Sequence, residues 1–69
     1  MNQREKIVKY MQDFGKITPM DAFIDLGITK LATRVSELIR DGMPIIKEPQ
    51  KGRNRYGEAV RYTQYRLGN

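Results

Sequence analysis

The segment from Ile17 to Gly42, ITPMDAFIDLGITKLATRVSELIRDG, decides how the rest of the chain is read. Thr18 followed by Pro19 is a helix start: a hydroxyl that caps free N–H groups, then proline at the first helical position, where no N–H is needed. Leu26-Gly27-Ile28 closes that helix after about two turns. Thr29 is placed to cap a second, longer helix that runs to a stop at Gly42. The pattern is a short helix, a glycine turn and a longer amphipathic helix.

Working outward toward the N-terminus, residues 3–14 read as a further helix. Ile7, Val8, Met11 and Phe14 recur on one helical face, with Tyr10 at its edge. Lys6, Lys9, Gln12 and Asp13 lie opposite, Glu5 and Lys9 are spaced as an i, i+4 ion pair, and Gly15 ends the helix. Between the two helices, Lys16-Ile17-Thr18 is long enough only to add a short third strand to a sheet formed elsewhere. Ile17 also suits a hydrophobic staple ahead of Thr18. The helix 19–26 is apolar on most sides through Met20, Ala22, Phe23, Ile24 and Leu26, so it is expected to be well buried. Asp21 and Asp25 share its polar face; with no third ligand nearby they read as a solvated acidic face, Asp21 suiting the helix dipole.

The helix 30–41 places Leu31, Ala32, Val35, Leu38 and Ile39 within one arc. Lys30, Thr33, Glu37 and Arg40 lie opposite, with Arg34 and Ser36 on the shoulders. After Gly42 the period changes. Residues 44–48 read as a strand opened by Pro44, residues 49–58 as a loop by composition, and residues 59–67, AVRYTQYRL, as a second strand. In that strand Tyr65 and Leu67 are expected to face the core, Tyr62 to pack across from the first strand, and the last two residues to fray. The fold class is therefore α+β: three helices carrying a helix-turn-helix, then a β-hairpin, in one domain over residues 1–69.

Composition narrows the function. The chain has 69 residues and a net charge of +5, with no cysteine and no histidine. It therefore has no thiolate or disulfide chemistry, and it lacks the commonest acid–base catalyst and nitrogen metal ligand. No convergent set of Asp, Glu, Lys or Tyr suggests a catalytic site, so an enzyme is not expected, nor a cofactor, a metal or a small-molecule substrate. No apolar run reaches a membrane span and no signal peptide is visible, which suggests a cytoplasmic protein. The charge is lopsided. Residues 1–42 hold seven Lys/Arg against six Asp/Glu, whereas residues 43–69 hold six against two. A basic C-terminal third fits an anionic partner, most often nucleic acid.

Three helices followed by a hairpin with a basic tip resemble a winged-helix domain. The segment GITKLATRVSELIRDGMPI, Gly27 to Ile45, resembles the small helix-turn-helix proteins common in bacteriophages and prophages, and YTQYRL resembles the closing wing strand of such domains. One departure is Phe23, four before the turn glycine, where compact helix-turn-helix proteins usually carry a small residue; Ala22 is five before.

The resemblance implies that helix 30–41 enters the major groove of double-stranded DNA. Thr29 and the helix N-terminus would hold a phosphate, and Lys30, Thr33 and Arg34 would face the groove. Glu37 would accept from a cytosine amino group or orient an arginine. The wing tip, Lys51, Arg53, Asn54 and Arg55, would follow the backbone or reach a minor groove. The implied function is a phage or bacterial regulator of transcription or recombination, acting in a bacterial cell or a phage-infected host. Winged helices also serve as protein-binding modules, so a host or partner protein is the alternative, and a weak homodimer is a further possibility for so small a module.

Overall fold

In the computed structural model, which describes residues 1–68, the chain folds as α1 (Gln3–Phe14), α2 (Pro19–Leu26), α3 (Leu31–Arg40), β1 (Ile45–Arg53) and β2 (Ala59–Leu67). Both early helices begin with reciprocal caps. The Asn2 side chain accepts from the Glu5 N–H at 2.8 Å while the Glu5 carboxylate accepts from the Asn2 N–H at 2.9 Å. Thr18 and Asp21 repeat the arrangement at α2, both bonds at 3.1 Å, with Pro19 at the first helical position. Each box satisfies donors that the first helical turn leaves orphaned. Because Glu5 is engaged at the cap, Lys9 pairs instead with Asp13, at 3.1 Å.

Gly27 makes the sharp turn between α2 and α3. Its φ of 68° and ψ of 24° lie in the left-handed region, and its N–H closes the helix on the Phe23 carbonyl at 3.1 Å. The adjacent Ile28 N–H reaches back to Ala22 at 2.9 Å. Ala22 is fully buried. It is thus Ala22, five before the glycine, that occupies the close helix approach, while Phe23 points outward and is 58% exposed.

The core is built from Ile7 and Met11 of α1, Ile17, Ala22, Ile28, Leu31, Val35 and Leu38 of the helical bundle, and Tyr65 of β2. Leu67, Ile45 and Met43 pack against it. Ile17 stitches sheet to helices: its N–H donates to the Tyr65 carbonyl and its carbonyl accepts from the Tyr65 N–H, both at 2.8 Å. This is the short third strand suggested by Lys16-Ile17-Thr18, reduced to a single antiparallel bridge.

The structure departs from the sequence expectations in four places. First, α2 is not well buried. Only Ala22 is fully covered, and Met20, Phe23 and Ile24 are 64%, 58% and 67% exposed. A chain of this size has too few other elements to enclose a helix on every side. Second, the α1 stripe ends at Met11: Phe14 is 67% exposed and tilts against Tyr10, with ring centroids 4.6 Å apart. On α3, likewise, Ala32 and Ile39 lie outside the buried arc. Third, α3 starts at Leu31 with Lys30 as its N-cap and no side-chain capping bond, so Thr29 precedes the cap rather than forming it. Fourth, β1 does not stop at residue 48 but continues to Arg53, paired in register from Ile45↔Leu67 to Arg53↔Ala59. The loop shrinks from residues 49–58 to residues 54–58.

The extension past Pro49 follows from sheet geometry. Tyr65 turns its N–H and carbonyl toward Ile17, away from β1. Lys47↔Tyr65 is therefore a pair without mutual hydrogen bonds, and two residues on, so is Pro49↔Thr63. Proline sits where β1 needs no donor toward its partner. At the C-terminus, Gly68 donates its N–H to the Pro44 carbonyl at 2.6 Å, so it is tied down rather than frayed. The same expectation for Asn69 lies outside the described residues.

Candidate nucleic-acid interface

The register sorts the wing's side chains onto two faces of different chemistry. Cross-strand partners share a face. One face carries Lys47, Lys51 and Arg53 from β1 and Arg61 from β2, continuing the side that buries Tyr65. The opposite face carries Ile46, Glu48, Gln50, Val60, Tyr62, Gln64 and Arg66. The strand's one acid is held on that second face: Glu48 accepts from Arg66 Nε at 2.9 Å and from Gln64 Nε2 at 3.1 Å. These two bonds, the Arg66 guanidinium first, hold the Glu48 carboxyl below its usual range. No ion pair among the described residues involves Lys47, Lys51, Arg53 or Arg61. Lys51 and Arg61 stand directly opposite one another. They occupy a pair without mutual hydrogen bonds, by the same alternation that places Pro49, so the like charges are brought close.

The tip is a built turn. Asn54 Oδ1 accepts from the N–H groups of Tyr56 and Glu58, each at 3.0 Å, and Asn54 Nδ2 donates to the Glu58 carboxylate at 3.0 Å. Arg53 donates to the Gly57 carbonyl at 2.7 Å, bracing the turn from the other side. Gly57, with φ of 77°, supplies the left-handed position. Asn54 is thus engaged in holding the loop. Arg55 and Tyr56 project from it, Tyr56 being 83% exposed.

On α3, burial of Leu31, Val35 and Leu38 turns the helix so that Thr33, Ser36 and Arg40 point outward, all exposed. Arg34 and Glu37 lie to one side and are half-buried. They pair with each other at 3.4 Å and, with Asn2, Gln3, Arg4, Arg40 and Asp41, line an open basin between α1 and α3. Arg34 Nε is buried there without a hydrogen-bond partner. Lys30 and Thr29, both exposed, stand at the N-terminus of α3, whose first-turn N–H groups have no side-chain cap.

The site residues expected from the sequence therefore fall into two groups. Thr29, Lys30, Thr33, Arg34 and Glu37 cluster around the first two turns of α3; Lys51, Arg53, Asn54 and Arg55 cluster on the wing, with Lys51 and Arg53 in the strand. Sequence reading passed over Lys47 and Arg61, which the sheet register adds to the cationic face, and Arg40 and Ser36, which the rotation of α3 turns outward. Strand alternation carried through Pro49 would have found the first two.

Three helices, a glycine turn at Gly27 and a twisted antiparallel hairpin define a winged helix-turn-helix. The family model described as a winged helix-turn-helix domain matches residues 2–69, and the chain belongs to that family. Searches of curated proteins and of solved structures found no match. Membership of the winged helix-turn-helix family points to DNA binding in general. No helix among the described residues is long and apolar enough to cross a membrane.

Proposed function

We propose that this protein is a bacterial or phage DNA-binding regulator that reads the major groove with α3 and grips the phosphate backbone with the cationic face of its wing. The observation that carries this reading is the segregation of Lys47, Lys51, Arg53 and Arg61 onto one sheet face, with Glu48 sequestered on the other. Four unneutralised cations in one plane are an electrostatic footprint for a polyanion. On α3, Thr33, Ser36 and Arg40 are the outward side chains offered to base edges, and Lys30 with the uncapped first turn favours a phosphate. Arg34, whose Nε lacks a partner, gains hydrogen bonds if it leaves Glu37 for a phosphate or a guanine edge. Control of transcription or of recombination is the process that such a small reader serves.

The test is selection of bound sequences from a random duplex pool at two salt concentrations, followed by titration of a labelled winner. The expected result is an enriched motif and an affinity that falls steeply with salt. Arg61→Gln or Lys51→Gln should weaken binding on every sequence, while Thr33→Ala should alter the motif. Absence of binding at low salt, or wing variants that bind as tightly as the parent, would overturn the reading in favour of a protein-binding role.

A further inference from the structure

In the open basin between the first turn of α1 and α3, guanidiniums outnumber carboxylates. Arg4, Arg34 and Arg40 line it together with Glu37 and Asp41. The pairing among these five is incomplete. Arg4 donates to Asp41 at 3.1 Å. Arg34 meets Glu37 only as an ion pair, at 3.4 Å, and its guanidinium makes no hydrogen bond among the described residues. Its Nε is buried, so this N–H gains a hydrogen bond only when an acceptor is brought to it. Arg40 has no ion pair among the described residues.

We propose that this basin binds a phosphate group through Arg34 and Arg4, with Arg40 at its rim, while Glu37 and Asp41 hold the first two guanidiniums until it arrives. Chemistry selects the ligand. Every basic side chain of the basin is an arginine, whose planar fork pairs with phosphate oxygens through two parallel N–H bonds. Three guanidiniums against two carboxylates leave the basin cationic, and the N-terminal turn of α1 adds partial positive charge beside Asn2 and Gln3. Serving two arginines at once takes an anion with several acceptor oxygens, which a phosphate is and a halide is not. Position selects the source. Arg40 belongs both to the basin and to the outward row of α3, so the basin opens beside the face assigned to DNA. A backbone phosphodiester is therefore the expected occupant, and the contact adds α1 to the DNA interface; to that extent the inference rests on the DNA-binding reading.

Two arms test this. In the first, without DNA, NMR follows the arginine Nε–H signals as inorganic phosphate is added at constant ionic strength, with chloride and acetate as controls. The Arg34 and Arg4 signals should move saturably with phosphate and stay in place with the controls. In the second, variants are titrated with DNA. Arg4→Gln and Asp41→Asn break the same bond yet should act in opposite directions. Arg4→Gln should weaken binding and lower the magnitude of the log–log salt slope by about 0.9. Asp41→Asn releases Arg4 and should strengthen binding roughly two- to fivefold, the worth of an exposed ion pair. That gain should vanish in the Arg4→Gln background, which simple removal of a negative charge would not cause. A purely structural tie between α1 and α3 predicts a loss from both variants, and that result would overturn the inference. So would the absence of a phosphate-dependent shift, or equal shifts with acetate. Phosphate shifts with an unchanged salt slope in Arg4→Gln would overturn the DNA backbone as the source and assign the site to a free phosphate compound. A parent chain that binds no DNA would overturn the DNA-binding reading while leaving the phosphate titration to stand by itself.

Discussion

Arg61→Gln should make the free protein more stable and its DNA complex weaker. Lys51 and Arg61 face each other across the sheet at a closely spaced pair, and no carboxylate shares their face. If their charged groups stand ~6 Å apart, they repel by about 0.7 kcal/mol in water. Screening over a Debye length of about 30 Å at 0.01 M salt and about 8 Å at 0.15 M leaves roughly 0.6 and 0.3 kcal/mol respectively. Both figures lie within the range of about 0.2–1 kcal/mol for cross-strand pairs. A domain of this size shifts its midpoint by about 4–8 °C per kcal/mol. Glutamine keeps most of the stem's length while removing the charge, so the variant should melt roughly 2–5 °C above the parent at 0.01 M salt and about 1–2 °C above it at 0.15 M.

The binding arm runs the other way. If Arg61 neutralises one phosphate, its loss lowers the magnitude of the log–log salt slope by about 0.9. Between 50 and 200 mM salt the parent should then lose about 3.5-fold more affinity than the variant. Scanning calorimetry at two salt concentrations and anisotropy titrations at four are sufficient. Arg61→Lys, which keeps the charge, should reproduce the parent in both. The reasoning is refuted if Arg61→Gln melts lower than the parent at 0.01 M salt, or if the salt slope does not change. The first result would mean that the arginine stem's packing outweighs the repulsion; the second, that the cationic face does not meet phosphate.

Three further outcomes are expected. Thr18→Ala removes one half of a part-buried capping box and should cost about 1 kcal/mol in urea denaturation without changing the m-value. Gly27→Ala meets no neighbouring atom within 4 Å but must hold φ near 68°, so it should cost roughly 1–2 kcal/mol through backbone strain alone. Tyr10 donates to Asp25 at 2.6 Å, which with burial and the nearby carboxylates pushes its pKa up to about 12. The folded state therefore keeps a proton that the unfolded chain releases near pH 10, and the associated stability is lost as pH rises from about 10 through 12. Absorbance at 295 nm should show a late phenolate step that Tyr10→Phe abolishes.

The helical half of the fold was legible because its boundaries are punctuated by residues with a single physical purpose. Thr18-Pro19 and Gly27 state where α2 begins and ends, and α1 and α2 fall at the expected residues. What failed were the inferences about how far the other elements cover α2 and where β1 ends. An eight-residue helix with Met20, Phe23 and Ile24 looks like core until the remaining elements prove too few to cover it. On α3, by contrast, local spacing already places Arg40 opposite the apolar arc and Ser36 on its shoulder, and both are exposed. Pro49 and Gly52 read as loop because composition cannot say which side of a strand needs donors. Pro49 lies where β1 bonds nothing toward its partner, and Gly52 lies beside the Tyr62 ring, which stands at ordinary contact distance, 3.5 Å, from where a Cβ would be.

That strand error bears directly on function. As a loop, residues 49–58 offer a diffuse basic tip whose cations point anywhere. As a paired strand, the same residues acquire a period of two, and the period separates charge: Lys47, Lys51 and Arg53 to one side, Glu48 and Gln50 to the other. Alternation keeps Glu48 off the face of Lys47, Lys51 and Arg53 in any register, but a slip of one residue would part those three cations from Arg61 and bring Glu48 onto the face of Arg61. Two features pin that register. Tyr65 is buried and doubly bonded to Ile17 at the base, and Asn54 clasps Tyr56 and Glu58 at the tip. Neither needs to touch DNA to matter for binding. Asn54→Ala should therefore weaken DNA binding as an indirect effect, by loosening the turn that holds Arg53 and Arg55 in place. Its signature is faster hydrogen exchange at the Tyr56 and Glu58 amides in the free protein, with the salt slope of binding preserved, whereas loss of a direct contact would leave those amides as protected as in the parent.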